Sequence, residues 1–205
     1  MFSPEQQNHD REGVAATQLQ NHDREGVAAT QQQNHDREGV ATNYLITWVC
    51  YGAWLPGQCG AVPRTRNRFG APLPESDARK EGQSRSRMTQ DRYLLDSVRR
   101  QVVLKSLRKV CAWRGWTLLA AHVRTNHVHV VVMANCKPDL VLNTMKSYSS
   151  RGLNEATLDD PDRRRWARHG STRYLWTRDA VWAAVQYVVR EQGESMAVYE
   201  AVSRR

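Results

Sequence analysis

The chain has 205 residues, with 30 Lys+Arg against 21 Asp+Glu, a formal charge of +9 and a pI near 9.8. That length suits one domain with a sizeable core plus additional segments. No apolar run approaches the roughly 20 residues of a membrane helix, and four cysteines without a CxxC pair exclude a zinc ribbon and a disulfide scaffold. The polar, acidic start MFSPEQQNHDREG is neither a secretory signal nor a transit peptide, so a reducing cytoplasmic setting is expected.

Residues 1–42 carry three Arg and seven acidic residues, a net of −4, and the remaining 163 carry 27 basic and 14 acidic, a net of +13. A basic body of that size implies a polyanionic partner, nucleic acid first. The acidic segment is a tandem repeat of QNHDREGVAATQ with units starting at Gln7, Gln20 and Gln33. Its only repeated apolar residues are Val and Ala, which cannot bury enough surface to order it, so 1–42 is expected to be a disordered tail and 43–205 the folded domain.

In chain order, Tyr44–Tyr51 reads as a strand rich in β-branched and aromatic residues. Gly52–Met88 shows no apolar period, and 52–90 is expected to be a long basic loop. Asp91–Trp113 carries a helical stripe of Leu94, Leu95, Val98, Val102, Leu107 and Val110, closed by Gly115. Trp116–Val123 and His127–Met133 read as a hairpin turning at Arg124-Thr125-Asn126. Leu140–Leu153 is a second helix, Thr172–Thr177 a short strand, and Asp179–Gln192 a third helix with Asp179 as N-cap. The order strand, helix, strand, strand, helix, strand predicts an α+β, ferredoxin-like (RRM-like) sandwich: an antiparallel sheet with helices on one face, plus a C-terminal helix.

Side chains alternate along a strand, so His127 and His129 share one face while Val128 faces the core. Two imidazoles about 7 Å apart on one face can converge on one divalent ion, although exposed strand histidines would give the same pattern. His122, on the preceding strand, is read as a neighbour. On the last helix Tyr187 and Glu191 are spaced i, i+4, one turn apart. That spacing lets a carboxylate bind the ion while the phenol reaches a phosphate. A free tyrosine titrates near 10, so attack needs a polarised electrophile, which a bound metal supplies.

The HxH strand preceded by Asn126, the Tyr187 helix, the phrase Ser171–Trp176 (STRYLW), the opening Tyr51–Gly57 and the Arg114-Gly115-Trp116 turn together resemble the single-tyrosine HUH transposases. The likeness spans about Tyr44 to Gly193 and is nearest to the REP-associated tyrosine transposases and their insertion-sequence-200-like relatives. It implies Mg²⁺ or Mn²⁺ held by His127, His129 and a polar residue four after the tyrosine. It further implies attack by Tyr187 on single-stranded DNA, leaving a 5′-phosphotyrosine and a free 3′-OH. In the family that polar residue is usually Gln or Asn; here Glu191 holds the position with Gln192 beside it. Tyr148 is a rival nucleophile, disfavoured because Gly152 occupies its i+4 position.

For DNA contact the sequence offers Arg163, Arg164, Arg165, Arg168, Arg173 and Trp176, a mixture of guanidinium groups and stacking surface. The expected partner is single-stranded DNA in a hairpin-forming repeat, handled by a monomer or homodimer in a bacterial-type, nucleoid-associated setting. The alternatives are a non-catalytic ferredoxin-like nucleic-acid-binding module and an HUH replication initiator or relaxase.

Overall fold

The computed structural model describes residues 40–58 and 75–201. The expected 1–42 tail and the middle of the 52–90 loop fall almost entirely outside those residues. The described residues form two compact units, one containing 54–58 and 75–91, the other containing 40–53 and 92–201. No helix among them is long and apolar enough to cross a membrane.

The larger unit is built on strands β1 (Thr42–Val49), β2 (Thr117–Val123), β3 (His127–Ala134), β4 (Ser171–Leu175) and β5 (Ala197–Glu200). Every neighbouring pair is antiparallel, and the order across the sheet is β4-β1-β3-β2-β5. The first four strands in that order, with one helix crossing from β1 to β2 and another from β3 to β4, make a ferredoxin-like α+β sandwich. β5 is an additional edge strand that the sequence reading lacked.

One face of the sheet is the main core. Tyr44, Ile46, Trp48, Val128, Val130 and Val132 meet Val103, Leu107 and Val110 of the helix Ser97–Arg114, together with Val141, Met145 and Leu153 of the helix Pro138–Glu155. In the first of these helices the buried stripe begins later than the sequence suggested. Asp96 accepts from the Arg99 N–H as N-cap, so Leu94 lies before the helix, and Leu94 and Val98 are exposed. Gly115 ends that helix as expected, with φ 68°. The second face carries the buried residues Leu45, Ala120, Val131 and Leu175 and is crossed by the helix Arg178–Arg190, whose Ala184, Tyr187 and Val188 are buried. The N-cap of this last helix is Thr177 rather than Asp179, its hydroxyl accepting from the Ala180 N–H at 3.1 Å.

In the smaller unit, residues 78–86 of the expected loop are helical, capped by the Asp77 carboxylate on the Lys80 N–H. That helix buries no residue, which explains why no apolar period announced it. In chain order the four helices are α1 (Ala78–Ser86), α2 (Ser97–Arg114), α3 (Pro138–Glu155) and α4 (Arg178–Arg190).

Candidate active site

The period of two along β3 places His127 and His129 together on the second face, beneath α4. Both are buried, and their ring centroids are 4.7 Å apart. Each ring is held through Nδ1. Asn126 Oδ1 accepts from His127 Nδ1 at 2.6 Å, and Thr47 Oγ1 shares a 2.7 Å hydrogen bond with His129 Nδ1. Thr47 stands directly opposite His129 in the β1–β3 ladder. With Nδ1–H donating, each Nε2 keeps its lone pair, the form in which histidine binds a metal. The Nε2 atom of His129 is buried and closes no hydrogen bond of ordinary geometry among the described residues.

Burial, reinforced by nearby positive groups, keeps both rings neutral. It pushes His129 down to about 3, helped by His122 and Arg124, and takes His127 well below the ordinary histidine value, with His129 as its next largest influence.

α4 brings Tyr187 to the pair. Its ring lies edge-on to His129 at 5.5 Å and 73°, and its side chain is 2 % exposed. Burial pushes the phenol up to about 12, with the Glu191 charge adding to it; the Gln192 amide pulls against this most strongly, followed by Arg124 and Arg173. The same Gln192 side chain interacts with His127 and His129, and its Nε2 donates to the Tyr187 carbonyl at 3.2 Å. Gln192 is therefore the polar group common to both histidines and the tyrosine.

Glu191 is placed differently from the expectation. α4 stops at Arg190, so Glu191 is its C-cap: its N–H still donates to the Tyr187 carbonyl at 3.2 Å, and its side chain is exposed. Among the described residues no three His, Cys, Asp or Glu side chains gather about one point. The residue after Glu191, Gln192, is buried and interacts with both histidines and with Tyr187. Tyr148 lies on α3, at the far side of the sheet, with its ring 5.6 Å from Trp113.

The expected DNA residues divide. Arg164 and Arg168 are exposed. Arg163 donates to the Arg92 carbonyl at 3.2 Å and lies over the Tyr93 ring. Arg165 is engaged within the protein. It is 4 % exposed, with Nε on Asp159 at 3.0 Å and Nη2 on Asn154 at 2.6 Å, so it braces the segment after α3 instead of facing a partner. Arg173 is half-buried on β4 and acts electrostatically on Tyr187, each favouring the charged form of the other. Trp176 is half-buried and stacks on Tyr174 at 4.9 Å and 10°, so one ring face is already occupied.

Sequence reasoning left out Thr47 and Arg124 and gave Asn126 no role beyond its place in the motif. Strand register carried the signal for Thr47 alone: a hydroxyl opposite a histidine becomes visible once β1 and β3 are paired.

The arrangement defines a class of protein: a ferredoxin-like sheet whose central strand presents a histidine pair to a tyrosine on a C-terminal helix. The family profile "Transposase IS200 like" matches residues 87–190, and the chain belongs to that family. A solved structure titled "Structure of the REP associates tyrosine transposase bound to a REP hairpin" is similar at a TM-score of 0.45 and 10% identity, over 77% of this chain and 71% of that one. Among curated proteins none matches this sequence.

Proposed function

We propose that this transposase-family protein cleaves and rejoins single-stranded DNA through a covalent bond to Tyr187. The observation that carries the reading is the convergence of His127, His129, Tyr187 and Gln192 in one buried cluster. Two neutral imidazoles, an amide oxygen and a buried phenol are donors that suit a divalent cation and a phosphate. The buried Nε2 of His129, which faces Gln192 without closing a hydrogen bond of ordinary geometry, supports a metal between them.

His127 and His129, through Nε2, and Gln192, through Oε1, would hold Mg²⁺ or Mn²⁺. That ion would supply polarisation of the scissile phosphate. Asn126 and Thr47 orient the imidazoles. In the chemical step Tyr187 Oη forms a bond to phosphorus and the P–O3′ bond breaks. The phenol proton is lost and the departing 3′ oxygen gains one, leaving a 5′-phosphotyrosine and a 3′-OH. A later 3′-OH attacks the phosphotyrosine and releases Tyr187, so joining is the reverse of cleavage. Arg173 and Arg124 favour the phenolate that forms along the way. Hairpin-forming single-stranded DNA is the proposed substrate, in keeping with the family, and Arg164 and Arg168 are its proposed phosphate contacts.

The test is incubation of the protein with Mg²⁺ or Mn²⁺ and single-stranded DNA from the gene's own flanks, followed by denaturing electrophoresis. A DNA-shifted protein band that survives denaturation and is absent from Tyr187→Phe is the expected result.

A further inference from the structure

We propose that His122 is a positioning residue: it anchors the end of the Tyr187 helix and the Gln192 turn over the histidine pair. The inference rests on the roles proposed above for Tyr187 and Gln192.

His122 lies directly opposite His129 in the β2–β3 ladder and is 0 % exposed. It reaches that face through an irregularity. Leu118 pairs with Val132 on the core face, the register then slips, and Ala120 pairs with Val131 on the other face. Uninterrupted alternation from Leu118 would aim residue 122 into the core; the bulge at Leu119 turns it toward α4, as bulges beside functional sites commonly do.

Both ring nitrogens are committed to backbone. Nδ1 lies 3.0 Å from the Val188 carbonyl, and Nε2 lies 3.2 Å from the Met196 N–H. A carbonyl only accepts and an amide N–H only donates, so the ring must be the neutral tautomer with its proton on Nδ1. The lone pair on Nε2 is therefore occupied, which separates His122 from its two neighbours: it cannot serve as a third imidazole ligand without releasing Met196.

The two partners are placed where a clamp would act. Val188 follows Tyr187, and its carbonyl lies in the last turn of α4, just past the final helical bond, which runs from the Glu191 N–H to the Tyr187 carbonyl. His122 supplies a donor to the Val188 carbonyl. Met196 begins the approach to β5, four residues beyond Gln192. Between them Arg124, 1 % exposed, donates from Nη1 to the Glu194 carbonyl at 2.9 Å, and Thr125 Oγ1 approaches Met196 Sδ. The end of the β2–β3 hairpin thus grips residues 188, 194 and 196, on both sides of Gln192. With that grip lost, the last turn of α4 and the Gln192 side chain are no longer fixed relative to the imidazoles.

The experiment uses the full chain and two readouts that need no DNA cleavage: Mn²⁺ affinity by electron paramagnetic resonance titration, and amide hydrogen exchange by mass spectrometry. His122→Leu fills the space without hydrogen bonding. It is expected to lower Mn²⁺ affinity by about tenfold or more, in the range typical of lost outer-shell partners, and to speed exchange in residues 188–196 while α2 and α3 exchange as in wild type. His122→Asn, whose Nδ2–H can replace Nδ1–H on Val188, should recover most of that affinity. If the Leu variant does not fold, His122→Gln replaces it, since Oε1 can accept from Met196 while Val188 loses its donor; exchange should then quicken at the end of α4.

Wild-type Mn²⁺ affinity in His122→Leu, or exchange quickened evenly over α2, α3 and α4, would overturn the proposal. If the wild type itself binds no Mn²⁺, the metal reading fails instead, and exchange at residues 188–196 alone decides the role of His122.

Discussion

Thr47 on β1 and His129 on β3 are partners twice over, directly opposite in the strand ladder and joined by a 2.7 Å hydrogen bond between Oγ1 and Nδ1. The bond fixes the ring plane and, with Nδ1 as donor, leaves Nε2 free for a ligand. Thr47→Val keeps the shape and removes the acceptor. It should cost about 1 kcal/mol of stability and lower Mn²⁺ affinity by about tenfold or more. Thermal unfolding and a Mn²⁺ titration on the same variant separate the two effects.

Gln192 and Glu191 should behave in the reverse of what i+4 counting suggests. Gln192→Ala removes the group shared by the histidines and Tyr187, whereas Glu191→Ala removes an exposed cap side chain. Adduct formation should fall by about two orders of magnitude in the first and change little in the second. Single-turnover cleavage of a labelled strand measures both.

Asp159 governs stability away from the site. It accepts from Tyr93 Oη at 2.6 Å, Arg99 Nε at 2.9 Å and Arg165 Nε at 3.0 Å. Although burial raises its pKa, these donors together hold it below 3.8. A carboxylate depressed in the folded state binds fewer protons there than when unfolded. Its contribution is therefore complete above the unfolded value and is lost as pH falls through the lower folded one. Stability should decline below about pH 4. Asp159→Asn should lose about 3 kcal/mol at pH 7 and show a shallower acid decline, as read by urea unfolding across pH.

The arginine cluster should split by burial. Arg164→Ala with Arg168→Ala should flatten the salt dependence of single-strand binding by about 0.7 in slope for each phosphate contact removed, with stability preserved. Arg165→Ala should instead unfold more easily, by about 3 kcal/mol, because it leaves Asp159 short of a buried partner. Fluorescence-anisotropy titrations at several salt concentrations, beside thermal melts, distinguish the two behaviours.

Features set by local periodicity were legible in the sequence. The shared face of His127 and His129 follows from alternation along a strand, and the ferredoxin-like element order follows from the sequence of periods. What escaped depended on tertiary partners or on weak local signals. β5 is only four residues long, at the sheet edge, and α1 has no apolar stripe. The burial of Arg165 depends on Asp159, and the entry of Gln192 depends on α4 ending two residues before it. The turn of His122 toward α4 depends on a bulge that no alternation pattern contains.

The most direct test of the account is peptide mapping of a covalent protein–DNA adduct formed by wild type, Tyr187→Phe and Tyr148→Phe with Mn²⁺ and single-stranded DNA from the gene's flanks. The account predicts a 5′-phosphotyrosine at Tyr187 in wild type and Tyr148→Phe, and none in Tyr187→Phe despite intact folding and DNA binding. An adduct that maps to Tyr148, or that persists in Tyr187→Phe, would contradict it.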